Sequence, residues 1–279
     1  MADWATWSRV DGPGAPLDLL HARIRQPFAR HMHAQYAVGV CTEGVERIYY
    51  RRETVWAGPG TVVVLEPGEV HTGGPERAGG FRYRVMYPEP ALFGERGRPR
   101  FERGVINDPG LAARLRAVHR ALSEGTADPL AAESALLGLG HQLVARHAVR
   151  PVGGHPERGA GATRPVDGIA GRVMARLGDE PVDPPSLAEM SAELGLSRYQ
   201  LLRGFTTEVG MPPYAWLAQH RVGLARRLLE RGRRPGEVAV AVGFADQAHL
   251  TRWFRRVVGV TPAVYRNGVQ DIGAGAAAF

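Results

Sequence analysis

The sequence predicts a two-domain α+β protein: an N-terminal antiparallel β-barrel with a helical hairpin, then an all-α C-terminal domain with two helix-turn-helix units. Three observations predict it. Between Leu17 and Tyr87, short runs of β-branched and aromatic residues alternate with Gly- and Pro-rich breaks. From Pro109 to Val149, apolar residues recur at helical spacing. Near the C-terminus a pattern returns at an offset of 49: Ser197 with Asp246, Leu201 with Leu250, Arg203 with Arg252, Phe205 with Phe254, Gly210 with Gly259, Pro213 with Pro262 and Trp216 with Tyr265. So many like positions at one offset read as a duplicated unit.

At 279 residues the chain has room for two domains. It carries 35 basic and 28 acidic residues, net +7, and every basic residue is arginine. That excess is too modest to establish a nucleic-acid partner by charge alone. A single cysteine, Cys41, excludes an internal disulfide and a thiolate metal cluster. It stands in a strand-like run and reads as a buried, inert thiol. No run approaches ~20 apolar residues and the N-terminus has no signal pattern, so a soluble cytoplasmic protein without a membrane partner is expected.

The strands are placed at Tyr36–Cys41, Val45–Tyr50, Thr61–Leu65 and Phe81–Tyr87. Glu43-Gly44, Gly58-Pro59-Gly60, Pro67-Gly68 and Gly73-Gly74-Pro75 supply the turns. A barrel of this kind has an interior for a small ligand. His31 and His33, two apart, point to one side of an extended strand, and His71 follows Pro67-Gly68-Glu69-Val70. These residues resemble the two half-motifs of cupin barrels, which bring such histidines together on a metal. The cupin pattern also has a glutamate four residues after the second His, and here that position is Ala37. Three readings stand: an effector pocket without metal, histidines that only hydrogen-bond loops at the barrel mouth, or a bound metal. The expectation carried forward is an effector site with no metal or other cofactor.

Glu43, Glu66, Glu69, Arg82 and Arg84 are further polar candidates for the interior. Arg82 and Arg84 alternate with Tyr83 and Val85, so one strand face is basic. It is either a solvated sheet face or a site for a carboxylate or phosphate, which Arg binds bidentately. The expected effector-binding set is His31, His33, Glu43, His71, Arg82 and Arg84.

Helices are expected over Pro109–Ser123, with a stripe of Leu111, Leu115, Val118 and Leu122, and over Pro129–Val149, with Leu130, Leu136, Leu137, Leu143 and Val144. A short link makes them an antiparallel hairpin that covers the barrel. Residues 151–163, rich in Gly, read as a flexible linker between a domain at 1–150 and one at 164–267. Residues 268–279 read as a disordered tail.

In the C-terminal domain a helix runs to Gly178, and Ser186 caps another to Glu193. Ser197 and Asp246 cap the two repeated helices. In the second, Leu250, Trp253, Phe254 and Val257 share one face, while Thr251, Arg252, Arg255 and Arg256 lie toward the other. A long helix over Tyr214–Arg231 joins the halves. A short helix at Val238–Val242, the Gly243 turn and the basic helix after Asp246 form the pattern that enters a major groove.

The C-terminal hundred residues or so resemble the DNA-binding domain of the AraC/XylS family of transcription regulators. Ser197, Leu201, Arg203, Phe205, Gly210, Pro213, Arg221, Ala225, Leu228, Leu229, Gly243-Phe244, Asp246, Leu250, Arg252, Phe254, Gly259, Thr261-Pro262 and Tyr265-Arg266 carry the resemblance. It implies two units reading adjacent major-groove segments of double-stranded DNA, a cupin-like effector-sensing domain, control of transcription by activation or repression, and RNA polymerase as a partner. It implies base contacts at Tyr199, Leu202 and Arg203 in the first reader and at Gln247, Thr251 and Arg252 in the second, with Arg198 and Arg256 as further DNA contacts. The helices after Pro109 often form a homodimer interface in this family. Leu202 and Gly204 depart from the pattern: Leu202 is apolar, and Gly204 weakens a helix by up to ~1 kcal/mol relative to Ala. Two function classes result: a small-molecule-responsive regulator that is not an enzyme, and a metal-dependent cupin enzyme with an accessory DNA-binding module.

Overall fold

The computed structural model describes residues 3–12, 15–93, 98–125, 128–149 and 168–270. Contacts divide the chain into two compact units, the second at Gly161–Asn267. The expected linker at 151–163 lies outside the described residues, as do residues 271–279 of the expected tail. Residues 268–270 continue the last helix, which corrects the expectation of disorder there.

The first unit is β-rich. Its strands are β1 (Trp4–Val10), β2 (Leu17–Ile24), β3 (Ala37–Glu43), β4 (Glu46–Tyr50), β5 (Glu53–Ala57), β6 (Thr61–Leu65), β7 (His71–Pro75), β8 (Phe81–Tyr87), β9 (Arg100–Phe101), β10 (Val105–Asn107) and β11 (Ala148–Val149). They form antiparallel sheets, one of six strands in the order β1-β2-β8-β3-β6-β10 and one of three in the order β5-β4-β7, with β9 paired to β11. The ladder does not close into a single barrel. Two isolated bridges, His31 with His71 and Cys41 with Pro59, lie outside these ladders, and β5 of the small sheet lies against β6 and β10 of the large one.

The alternation of β8 decides which face is which. Met86 points outward with Leu19, Val38, Val40, Val62 and Val64, all buried beneath helices α1 (Pro109–Glu124) and α2 (Pro129–His147). Leu111, Leu115, Leu136, Leu139 and Leu143 complete that core. Each such burial contributes about 1.5–3 kcal/mol. Asp108 caps α1 by accepting from the Leu111 N–H at 2.9 Å, and Gly125, at φ 62°, ends it. The second hairpin helix stops two residues short of expectation, because Ala148–Val149 turn out to pair with Phe101 and Arg100. The opposite face of the large sheet carries Tyr83, Val85 and Tyr87 inward, toward the small sheet.

The second unit is all helical: α3 (Ile169–Asp179), α4 (Leu187–Glu193), α5 (Arg198–Val209), α6 (Pro213–Glu230), α7 (Pro235–Ala241), α8 (Gln247–Val258) and the part to Asn267 of α9 (Pro262–Gln270). Ser186 and Ser197 each form a complete capping box, with Glu189 and Gln200. Asp246 caps α8 through the His249 N–H at 2.7 Å. Both reader helices end on a glycine in the left-handed region, Gly210 and Gly259, each at φ 83°. The duplication seen in sequence is therefore a duplication of caps, core and stop.

Candidate nucleic-acid interface and histidine cluster

Leu201 and Phe205 of α5, and Leu250 and Phe254 of α8, are fully buried against their own unit. Helical geometry then turns the opposite faces out. On α5, Arg198, Tyr199, Leu202 and Arg203 are exposed, Tyr199 at 69%. On α8, Gln247, Arg252 and Arg256 are exposed and Thr251 is half-buried. Among the described residues, Arg198, Arg203 and Arg252 make no ion pair or hydrogen bond within the chain, so their guanidinium donors are available to an outside acceptor. Arg256 instead lies over the Trp253 ring, 5.4 Å from its centroid. Gln247 lies close to Gly236, where a Cβ would meet its side-chain oxygen at 3.2 Å.

Gly204 has a packing reason that sequence did not show. A Cβ there would stand 3.0 Å from Ile169 Cδ1, so its absence lets α5 approach α3 closely. Arg221 is buried in α6. Its Nε donates to the Pro181 carbonyl at 2.6 Å and its Nη2 to that of Val182 at 3.4 Å, and its guanidinium lies 5.8 Å from the Phe244 ring centroid.

In the first unit the structure brings His31, His33 and His71 together. Their ring centroids are 4.3 Å apart for His31–His71, 4.9 Å for His31–His33 and 5.0 Å for His33–His71. His31 and His71 are buried and His33 half-buried. His31 is not in a regular strand, which corrects the expectation from its spacing with His33; it forms one bridge with His71, exchanging both backbone hydrogen bonds at 2.9 Å. Burial pushes His71 down to about 3 and lowers His31 as well, so both rings are neutral near pH 7. Tyr87 stacks edge-on to His33 at 5.0 Å, and Phe28 lies 5.9 Å from His31.

The remaining candidates do not join the histidines. Arg82 pairs with Glu43 at 2.9 Å on a half-exposed part of the sheet. Arg84 points the same way and meets His119 Nδ1 of α1 at 3.2 Å. Both arginines share the sheet face of Met86, opposite to Tyr83 and Tyr87, so the basic strand face is not the face of the histidine cluster. Glu66 is buried; its carboxylate accepts from the Phe101 N–H at 2.7 Å and pairs with Arg51 at 2.8 Å and Arg100 at 3.3 Å. Glu69 sits 3.6 Å from Arg51. Cys41 is buried, its S–H facing the Glu43 and Gly44 carbonyls, and burial pushes its thiol up to about 11.

Glu46 was missed. It is 9% exposed on the inner face of the small sheet, and burial raises its carboxyl to about 8. The period-2 pattern could have found it, since Glu46 shares a strand face with Ile48 and Tyr50.

Residues 15–140 match the AraC-like ligand binding domain, and residues 190–268 match a helix-turn-helix domain. The chain belongs to the AraC family of transcription regulators. This AraC-family chain is 28% identical over 236 residues to the HTH-type transcriptional regulator YbfI of Bacillus subtilis, covering 81% of this chain and 82% of that one. It is 24% identical over 250 residues to the arabinose operon regulatory protein of Salmonella typhimurium, covering 84% of each. ToxT of Vibrio cholerae superposes with a TM-score of 0.55 over 96% of this chain and 98% of its own, at 12% identity, which shows a shared fold. ToxT with an unsaturated fatty acid bound gives a TM-score of 0.53, covering 96% of each chain, at 10% identity. Among the described residues no helix is long and apolar enough to cross a membrane.

Proposed function

We propose that this AraC-family regulator reads two adjacent major-groove segments of double-stranded DNA through α5 and α8, and that a small-molecule effector held at the histidine cluster changes that binding. The observation that carries the reading is the pair of capped helices with buried Leu and Phe on one face and unpaired arginines on the other. Arg203 and Arg252 are assigned to base edges, with guanine as the usual partner of Arg, and Gln247 to adenine. Arg198 and Arg256 are assigned to phosphates, while Tyr199, Leu202 and Thr251 supply stacking, methyl and hydroxyl contacts. The expectation that Glu43, Arg82 and Arg84 share the effector site is set aside in favour of the three histidines. A small-molecule effector is supported by the ligand-binding domain match and by ToxT, whose fold accommodates a fatty acid. Homodimerisation is assigned to α2, where Leu130 is 72% and Leu137 42% exposed. The site of action is the cytoplasm, with RNA polymerase as the partner at the promoter.

Footprinting the full chain on its operators, with and without candidate effectors, tests this. Two protected boxes about one turn apart are expected. His33→Ala and His71→Ala are expected to change the effector response while leaving the effector-free operator affinity within about twofold, since additive, distant sites rarely couple by more than a few tenths of a kcal/mol. Operator binding that collapses in these variants while they remain folded rejects the sensing role.

A further inference from the structure

The histidine cluster is built twice over from one local device. His31 Nδ1 lies 2.8 Å from the carbonyl of Ala29, two residues before it; His71 Nδ1 lies 2.9 Å from the carbonyl of Glu69, again two residues before. A carbonyl oxygen only accepts, so each Nδ1 carries the proton and donates. Each Nε2 is thereby left with a bare lone pair, and the tautomer is fixed from the backbone. This is how metal-ligating histidines are oriented, the far nitrogen held so that the near one points at the ion. The two backbones are held by reciprocal hydrogen bonds, N to O, of 2.9 Å each way.

A third ring enters from His33, and one ring nitrogen from each of the three lies within 4.8 Å of the others. Two nitrogens on a tetrahedral ion at ~2.0–2.1 Å stand about 3.4 Å apart, so ring rotations of under about 1.5 Å at the nitrogens complete the contact. Phe28 and Tyr87 wall the cluster with aromatic surface. Two acidic residues of this unit are committed elsewhere, Glu66 to Arg51, Arg100 and the Phe101 N–H, and Glu69 to Arg51.

We propose that His31, His33 and His71 bind one divalent late first-row transition-metal ion, of the cobalt, nickel, copper or zinc group. The donor set decides the class. Calcium and magnesium take oxygen ligands, and this cluster presents imidazoles. Three neutral ligands leave the ion its full positive charge and an open position, which fits an anionic or nitrogen-bearing effector atom. The inference rests on the reading of this unit as the sensing domain only for that last consequence; binding of the ion stands apart from it.

Full-length protein is stripped with a chelator, dialysed and titrated with Zn²⁺ by calorimetry and with Co²⁺ by visible absorption. One equivalent is expected, with the intensified d–d spectrum of low-coordinate cobalt. His33→Ala and His71→Ala are each expected to weaken binding at least about 100-fold, beyond the loss typical of an outer-shell change. His141→Ala, an exposed position on α2, is expected to bind as the parent does. His33 is half-buried, so its variant remains informative if His71→Ala fails to fold; circular dichroism checks each. Binding below a tenth of an equivalent to folded parent protein, or full binding in both histidine variants, overturns the proposal. An effector response that persists unchanged in the stripped protein also overturns the metal's part and leaves the sensing reading intact. Failure to bind any operator, with the metal site filled, overturns the DNA reading alone.

Discussion

At the scale of single residues, the arginines of α8 divide by what each already touches. Arg252 has its donors free on the exposed face, whereas Arg256 is laid over Trp253. Arg252→Ala is therefore expected to cost about 1–3 kcal/mol on the specific site, while Arg256→Ala weakens all sequences alike. Competition binding with operator and random duplexes measures both; equal losses from Arg252→Ala on the two duplexes would reject base reading. Glu46 gives a prediction of a different kind. Its folded carboxyl titrates near 8 against an ordinary 4.5, so the folded state holds a proton that the unfolded chain releases. Stability then falls with rising pH between about 4.5 and 8. Glu46→Gln is expected to raise the melting temperature at pH 8 and to converge with the parent toward pH 4.5. Melting curves that stay parallel across that range would show the carboxyl to be solvated.

At the scale of elements, Asp108 joins both hairpin helices. It caps α1 and also receives Arg146 at 3.2 Å and His147 at 2.9 Å from the last turn of α2. The Leu111 N–H, then His147, hold its carboxyl down at about 2. The group's contribution is present above the ordinary aspartate value of 3.8 and is lost as pH falls toward 2. Asp108→Ala is expected to cost about 1 kcal/mol for the cap, with the difference from the parent disappearing below pH 2 in denaturant titrations; a difference that survives there would place the loss in packing instead. Such caps were legible in sequence: Ser186, Ser197 and Asp246 each stood before an apolar run. The strand β7 was not, because its sequence, His-Thr-Gly-Gly-Pro, has almost no β-propensity and is held by its neighbours' ladder. Closure into a barrel was overread for a related reason. Sequence shows strands and turns, while closure depends on which strand edges meet, and side-chain alternation does not report that. The histidines were found by spacing and did come together. Arg82 and Arg84 were found by alternation, which reports a shared face but not which face.

At the scale of the whole molecule, sensing and reading are assigned to separate units, so substitutions in one are expected to leave the other's intrinsic affinity intact. Within the reading unit, α6 packs against α3 and α5 on one side and α7 and α8 on the other. The offset of 49 residues made the two readers visible, but only the packing shows that they share one support. The prediction at this scale concerns operator spacing. Successive major-groove faces are one turn, 10–10.5 base pairs, apart, and each added base pair rotates the second box by about 35°. Inserting one base pair between the boxes of a footprinted operator is expected to abolish two-box protection. Retained protection of both boxes would show that the readers adjust independently.

The Arg221 clamp explains why no adjustment is expected. Its donors hold the carbonyls of Pro181 and Val182, in the loop between α3 and α4, and its guanidinium rests on Phe244, in the turn between α7 and α8. A single buried side chain of the shared helix therefore touches the loop before α4 in one half and the turn before α8 in the other. Gly243 tightens the join, since a Cβ there would lie 2.7 Å from the Pro181 oxygen. The two readers form a caliper with a locked screw. A caliper measures before it recognises: duplexes whose boxes stand at the wrong interval are expected to be discarded on length, even when every base in each box is correct. A genome is then expected to offer this regulator fewer decoys than the proposed base contacts of either reader would allow.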